Sequence, residues 1–388
     1  MRPDAETLQA DRAALPSPWE LPAKARALYL GSVLSDYALR TGLASAVTGA
    51  MLPRSVFING RAERDRLRFY AELTAAHDAE RVFAPPPSGI PIRAERGRWP
   101  DGDGSPPGRL QLLRFGSPFV PLNPDIRRDY LRHASNATAR AQHWRHDGPP
   151  RPTLIVIHGF GASPAWFNTL FFSLRDFFAD GWDILLFTMP FHGGRRGSRA
   201  PFNGAEMFAG GFSRMNEAVM QAICDLRVLL GYLRRIGAPR IGVTGLSLGG
   251  YAAALLASVD PDLDFAVPNA AVATIPGLID SWFPANVGQA ILGRVKGLPP
   301  ELVNEALSVT SPLTYEPRVA RERLMVVAGL ADRLTPPEQS LMLWEHWGRP
   351  ELRWFPGSHV LHFQRGAYLD AMRKLIADPR PRPQSAAA

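Results

Sequence analysis

The pentapeptide Gly245-Leu246-Ser247-Leu248-Gly249 constrains the fold of this chain more than any other stretch. It follows the strand-like run Arg240-Ile241-Gly242-Val243-Thr244 and precedes Gly250 to Ala257, whose alanines and leucines read as a helix. A strand that feeds directly into a helix leaves space for only a sharp turn, and the residue at its apex takes a strained backbone conformation. Side chains two positions before and after that apex would strike the neighbouring strand and helix, so glycine fits both. The apical serine projects from the sheet edge, and the Leu248 N–H lies at the positive end of the helix, where developing negative charge is stabilised. Ser247 is therefore the candidate nucleophile, and Leu248 a candidate oxyanion-hole donor.

The flanking chain has a β/α rhythm. Thr153 to Ile157, Asp183 to Thr188, Phe265 to Ala273, Arg323 to Gly329 and Glu351 to Phe355 read as strands, with Arg109 to Phe115 and Ala137 to His146 supplying the first ones. Met215 to Ile236 reads as a long amphipathic helix, and Gln364 to Ile376 as a closing one. This alternation predicts an α/β fold with a mostly parallel sheet covered on both faces. On a strand, His143 and His146 point to opposite faces, which argues against a shared metal.

Residues 1–108 are expected to form an N-terminal helical extension and a Pro/Gly-rich linker, 109–378 the main domain, and 379–388 a flexible tail. In the extension, Leu30, Val33, Leu34, Tyr37, Thr41 and Ala44 recur at helical spacing, and Arg61 to His77 form a second, more charged helix. That apolar stripe is expected to pack on the main domain; a membrane-surface or substrate-gating role is the competing reading. Asp101 and Asp103 in the linker lack the rest of a calcium loop and read as a solvated turn.

The net charge of +8 is spread among acids, and no basic helix interleaved with aromatics is present, so no nucleic-acid partner is expected. Cys224 is the only cysteine, which rules out an intrachain disulfide and a cysteine-based zinc site. Asp4, Glu6, Asp11 and Glu20 near the start suit neither a secretory signal nor a transit peptide, and a cytoplasmic location is expected. The longest apolar stretch, Ala27 to Leu52, is interrupted by Asp36 and Arg40, so it reads as no span; peripheral membrane contact through it is not favoured.

A serine hydroxyl needs a base to take its proton, and the base needs a group to orient it. After an elbow serine the expected order is acid, then histidine. Leu324 to Gly329 runs as a strand into Leu330-Ala331-Asp332, and Trp354-Phe355-Pro356-Gly357-Ser358-His359 places a histidine after the last strand. Asp332 and His359 thus fall at the carboxyl edge of the sheet, where open α/β folds bind ligands. Asp280 is the runner-up acid and His362 the runner-up base. The glycines of His158-Gly159-Phe160-Gly161 permit a loop with inward N–H groups, which makes Phe160 the second oxyanion donor. His158 lies in the wrong chain order for a base and reads as structural.

Together, strand-HGFG, strand-TMPFHGGR, strand-GLSLGG, strand-GLAD and PGSH resemble the α/β-hydrolase superfamily over residues 109–378. The resemblance implies an eight-stranded sheet, a Ser/His/acid triad, an oxyanion hole at the HG loop and no cofactor or metal. Met189 to Arg195 also resembles the post-strand loop of one branch of abhydrolase-domain proteins. The expected activity is a serine hydrolase acting on a small-molecule ester or thioester, with an acyltransferase or a non-catalytic binding protein on the same fold as alternatives. Residues 275–311, including Trp282 and Phe283, interrupt the rhythm and are expected to form a helical cap. Arg195 and Arg196 read as a solvated loop rather than an anion site.

Overall fold

A computed structural model describes residues 15–55, 59–99 and 108–377; Asp101, Asp103 and the tail 379–388 lie outside the described residues. Strands β1 (Arg93–Arg96), β2 (Arg109–Gly116), β3 (Thr138–Arg145), β4 (Thr153–Ile157), β5 (Asp183–Thr188), β6 (Ile241–Leu246), β7 (Phe265–Asn269), β8 (Met325–Gly329) and β9 (Glu351–Phe355) form one sheet. Their order is β1-β2-β3-β5-β4-β6-β7-β8-β9. From β5 to β9 all neighbours run parallel, and the β1 to β3 edge is antiparallel. Strands β4, β6, β7 and β8 are buried at every residue, as a parallel sheet covered on both faces requires.

The sheet has nine strands where the resemblance implies eight. The extra one, β1, lies in the Pro/Gly-rich stretch and pairs from Arg93↔Arg114 to Arg96↔Gln111. Its Arg-Ala-Glu-Arg sequence is exposed throughout and carries no alternation; it exists because the open edge of β2 offers backbone partners.

Helix α1 spans Ala23–Ser55, α2 Gly60–Ala76, α3 Gly211–Arg235, α4 Leu248–Val259, α5 Ile275–Ser281, α6 Ala285–Lys296, α7 Pro300–Ser308 and α8 Gly366–Ala377. One face of the sheet is covered by α3 and α4, with Leu67, Tyr70 and Leu73 of α2 joining the same core. Every residue of α4 is buried, consistent with its alanine-rich, all-round apolar sequence. The other face is covered by Phe177 and Phe178 with Tyr368, Leu369 and Met372 of α8. Phe171 and Phe172 belong to this second layer, whereas Trp166 is exposed.

Two expectations are corrected by packing. Arg195 is not in a solvated loop: it is fully buried, 2.8 Å from the equally buried Asp225 of α3, and donates to the carbonyls of Asn136 and Thr188. In α1, the apolar stripe does not face the domain. Leu34 is 72% exposed, and Leu30 and Tyr37 also face outward, while Ala25, Ser32, Asp36 and Ala44 are buried. The inward face combines buried small and polar residues with Leu43 and Val47, which line a cavity against the domain, and α1 is held there by a carboxylate and by a close helix contact. A Cβ on Gly288 of α6 would lie 3.3 Å from the Thr48 methyl of α1.

Candidate active site

Strand β6 ends at Leu246, and Ser247 follows with φ 58° and ψ −115°, a left-handed conformation that costs a non-glycine residue about 1–3 kcal/mol. The surroundings hold it there. The Ser247 N–H donates to the Asn269 carbonyl at 3.0 Å, and its carbonyl accepts from the Tyr251 N–H at 2.8 Å. A Cβ at Gly249 would run into the Ile157 carbonyl, and one at Gly245 into the carbonyl of Gly249, so glycine is required at both flanks.

Asp332 and His359 arrive from the next loops along the same sheet edge, after β8 and β9. The His359 ring Nδ1 lies 2.7 Å from Asp332 Oδ2, with both side chains buried. Asp332 Oδ1 accepts from the Thr335 N–H at 2.7 Å, which fixes the carboxylate plane. With Nδ1 turned to the carboxylate, Nε2 is the nitrogen left for chemistry. Burial alone would push the His359 imidazolium down, but the Asp332 carboxylate, and Asp36 behind it, raise it above the ordinary histidine value.

Asp36 is a site residue that sequence reasoning passed over as a mere interruption of an apolar run. It is fully buried on α1, and its Oδ2 accepts from the backbone N–H groups of both His359 and Arg333 at 2.9 Å. Arg333 returns to α1 through a 2.9 Å bond to the Tyr29 hydroxyl. A lone acid on an otherwise apolar helix face was the only signal available.

The two candidate oxyanion donors sit at turns after strands. Leu248 opens α4, so its N–H has no acceptor within the helix. Phe160 follows β4, and its ring packs edge-on against Phe208 at 5.1 Å. His158 braces this loop: its Nε2 accepts from the Met189 N–H at 3.1 Å while Nδ1 meets the Gly159 carbonyl at 2.8 Å. Burial pushes its imidazolium down to about 4, so it stays neutral.

Ser247, Leu248, Phe160 and His359 all line one cavity of about 860 Å³. Among the described residues, the Ser247 hydroxyl is not bonded to the His359 ring; such bonds are often long without substrate and tighten in the complex. The runners-up fall away. Asp280 is exposed on α5, and His362 supports His359, with Nε2 3.2 Å from its carbonyl and Nδ1 2.9 Å from the Tyr368 hydroxyl. Burial, with the His359 charge, pushes His362 down to about 3. Among the described residues no cluster of His, Cys, Asp and Glu suits a metal ion, and no helix is long and apolar enough to cross a membrane.

The strand order and the turn geometry define an α/β-hydrolase fold. Two solved structures share it, each with a TM-score of 0.56: an acetyl xylan esterase from Paenibacillus sp. R4, 17% identical over 81% of this chain and 94% of that one, and acetyl xylan esterase 1 from Thermoanaerobacterium sp. JW/SL YS485, 14% identical over 80% and 92%. No model of a known protein family matches the chain. The chain belongs to the family of uncharacterized protein Rv2627c of Mycobacterium tuberculosis, to which it is 33% identical over 77% of its own length and 70% of the relative's. A second relative from another strain of that species, uncharacterized protein MT2702, is 33% identical over 64% of this chain and 60% of its own.

Proposed function

We propose that the protein is a serine hydrolase that cleaves a carboxylic ester or thioester through an acyl-enzyme at Ser247. The observation that carries this reading is the buried His359–Asp332 pair, which opens into the same cavity as a strained serine at a strand-to-helix turn. Ser247 Oγ attacks the substrate carbonyl carbon, and its proton passes to His359 Nε2. The tetrahedral oxyanion takes hydrogen bonds from the Phe160 and Leu248 N–H groups, each worth on the order of 10²- to 10³-fold in rate. The C–O or C–S bond then breaks as His359 protonates the leaving alcohol or thiol. Water, deprotonated by His359, attacks the acyl-serine, and collapse of the second intermediate releases the acid and restores the hydroxyl.

The acetyl xylan esterases that share the fold are named for ester cleavage, which agrees with this chemistry. The test is labelling with a fluorophosphonate together with turnover of p-nitrophenyl esters. Both are expected in the wild type and absent in Ser247→Ala; survival of both in that variant rules the assignment out.

A further inference from the structure

The cavity beside Ser247 is larger and drier than a short acyl group needs. At about 860 Å³ it lies in the upper part of the roughly 300–1,000 Å³ range of small-molecule sites. An acetyl group would leave most of it as apolar space, which water fills poorly because it finds few polar partners there.

The wall also includes Phe208, Phe212, Met215 and Val303, and the Phe208 ring packs edge-on against Phe160. The roof is α1 with α6. Leu39, Leu43 and Val47 of α1, one helical turn apart in succession, line the cavity. Besides Ser247 and His359, the polar lining groups are Thr48 of α1, Asp280 of α5 and Asn286, Gln289 and Arg294 of α6.

We propose, resting on the serine-hydrolase reading above, that this cavity takes long apolar acyl chains of about eight or more carbons, and that Leu43 and Val47 set how much chain it accepts. The substrates are then long-chain acyl esters or thioesters. The chain stays in the cavity after the leaving group has gone, so the acyl-enzyme is held by apolar contact while water attacks. Each methylene moved from water into such a wall contributes up to about fourfold in kcat/KM.

The experiment measures kcat/KM for acetyl, butyryl, octanoyl and palmitoyl p-nitrophenyl esters with the wild type, Leu43→Trp and Val47→Trp. In parallel, a fluorescent long-chain fatty acid is titrated into Ser247→Ala, which retains the cavity but not the chemistry. The expected result is an octanoyl or palmitoyl ester favoured over acetyl by at least about tenfold, a ratio that falls at least about tenfold in either tryptophan variant, and saturable fatty-acid binding by Ser247→Ala. A flat or acetyl-favouring series in an enzyme that labels and turns over overturns the chain-length inference and leaves the hydrolase reading standing. If no ester is turned over, the hydrolase reading fails; fatty-acid binding that tryptophan at position 43 or 47 weakens then still supports the cavity assignment, and no binding overturns it.

Discussion

The carboxylate of Asp36 accepts the backbone N–H of His359 at 2.9 Å, across 323 residues of sequence. Helix α1 therefore holds the loop that carries His359, and the same oxygen holds the Arg333 N–H beside Asp332. Removing that oxygen leaves two buried amides without an acceptor, a loss of about 1–3 kcal/mol. Asp36→Ala is expected to lower kcat about tenfold or more with a smaller effect on KM, whereas Asp36→Asn, which keeps an acceptor for both amides, is expected to retain most of kcat. Equal activity in Asp36→Ala and the wild type would remove the positioning role.

The pH profile gives a second reading of the same contact. His359 must be neutral to accept the serine proton, so activity is lost as pH falls through its pKa. Burial lowers that pKa, but Asp332 and Asp36 raise it further, and the net direction is upward from 6.5. The groups around the ring include Asp332, Asp36, the Arg333 guanidinium bonded to the Asp332 carbonyl, and neutral His362. The acid limb of kcat/KM is thus expected above pH 6.5 in the wild type and at lower pH in Asp36→Asn, where one negative charge is gone. An unmoved limb in that variant would show that Asp36 acts without charge.

Acid stability rests on other histidines, His133 among them, whose pKa values burial lowers. His143, His192 and His362 are pushed down to about 3, and His158 to about 4, with burial as the largest cause in each. In each the folded pKa lies below the unfolded value, so the unfolded chain binds more protons, and stability falls as pH drops from about 6.5 towards 4. At pH 5 the loss is on the order of 1–2 kcal/mol per histidine, opposed by His359 and by the buried Glu217, Asp225 and Asp332 carboxyls, whose pKa values are also raised. Thermal melts are expected to show a falling Tm between pH 7 and pH 5; a constant Tm would contradict it.

Arg195 and Asp225 form a buried ion pair with no exposure of either side chain. Arg195→Met is expected to destabilise the fold by about 3–5 kcal/mol, because it strands a buried carboxylate. The double variant Arg195→Met, Asp225→Leu is expected to recover part of that. Urea midpoints for the two single variants and the double give the coupling energy directly, and additive losses would show that the charges do not interact.

The sheet's parallel centre was legible because a strand buried on both faces is a continuous apolar run, as in Thr153–Ile157, and cannot be mistaken for a surface element. The turn at Ser247 was legible because glycines answer a steric demand that the structure displays at Gly245 and Gly249. Asp332 and His359 were legible from their place after strands. What the sequence hid are contacts between remote segments. Strand β1 has no pattern of its own, the orientation of α1 depends on the buried Asp36 while Leu30 and Leu34 face outward, and Arg195 looks like a surface residue until Asp225 is placed beside it.

Asp36 on α1 and the loop bearing His359 lie 323 residues apart, so the centre forms only in a chain that extends past position 359. A growing polypeptide that already exposes its elbow serine still lacks the base, and the carboxylate waiting at position 36 has nothing to receive.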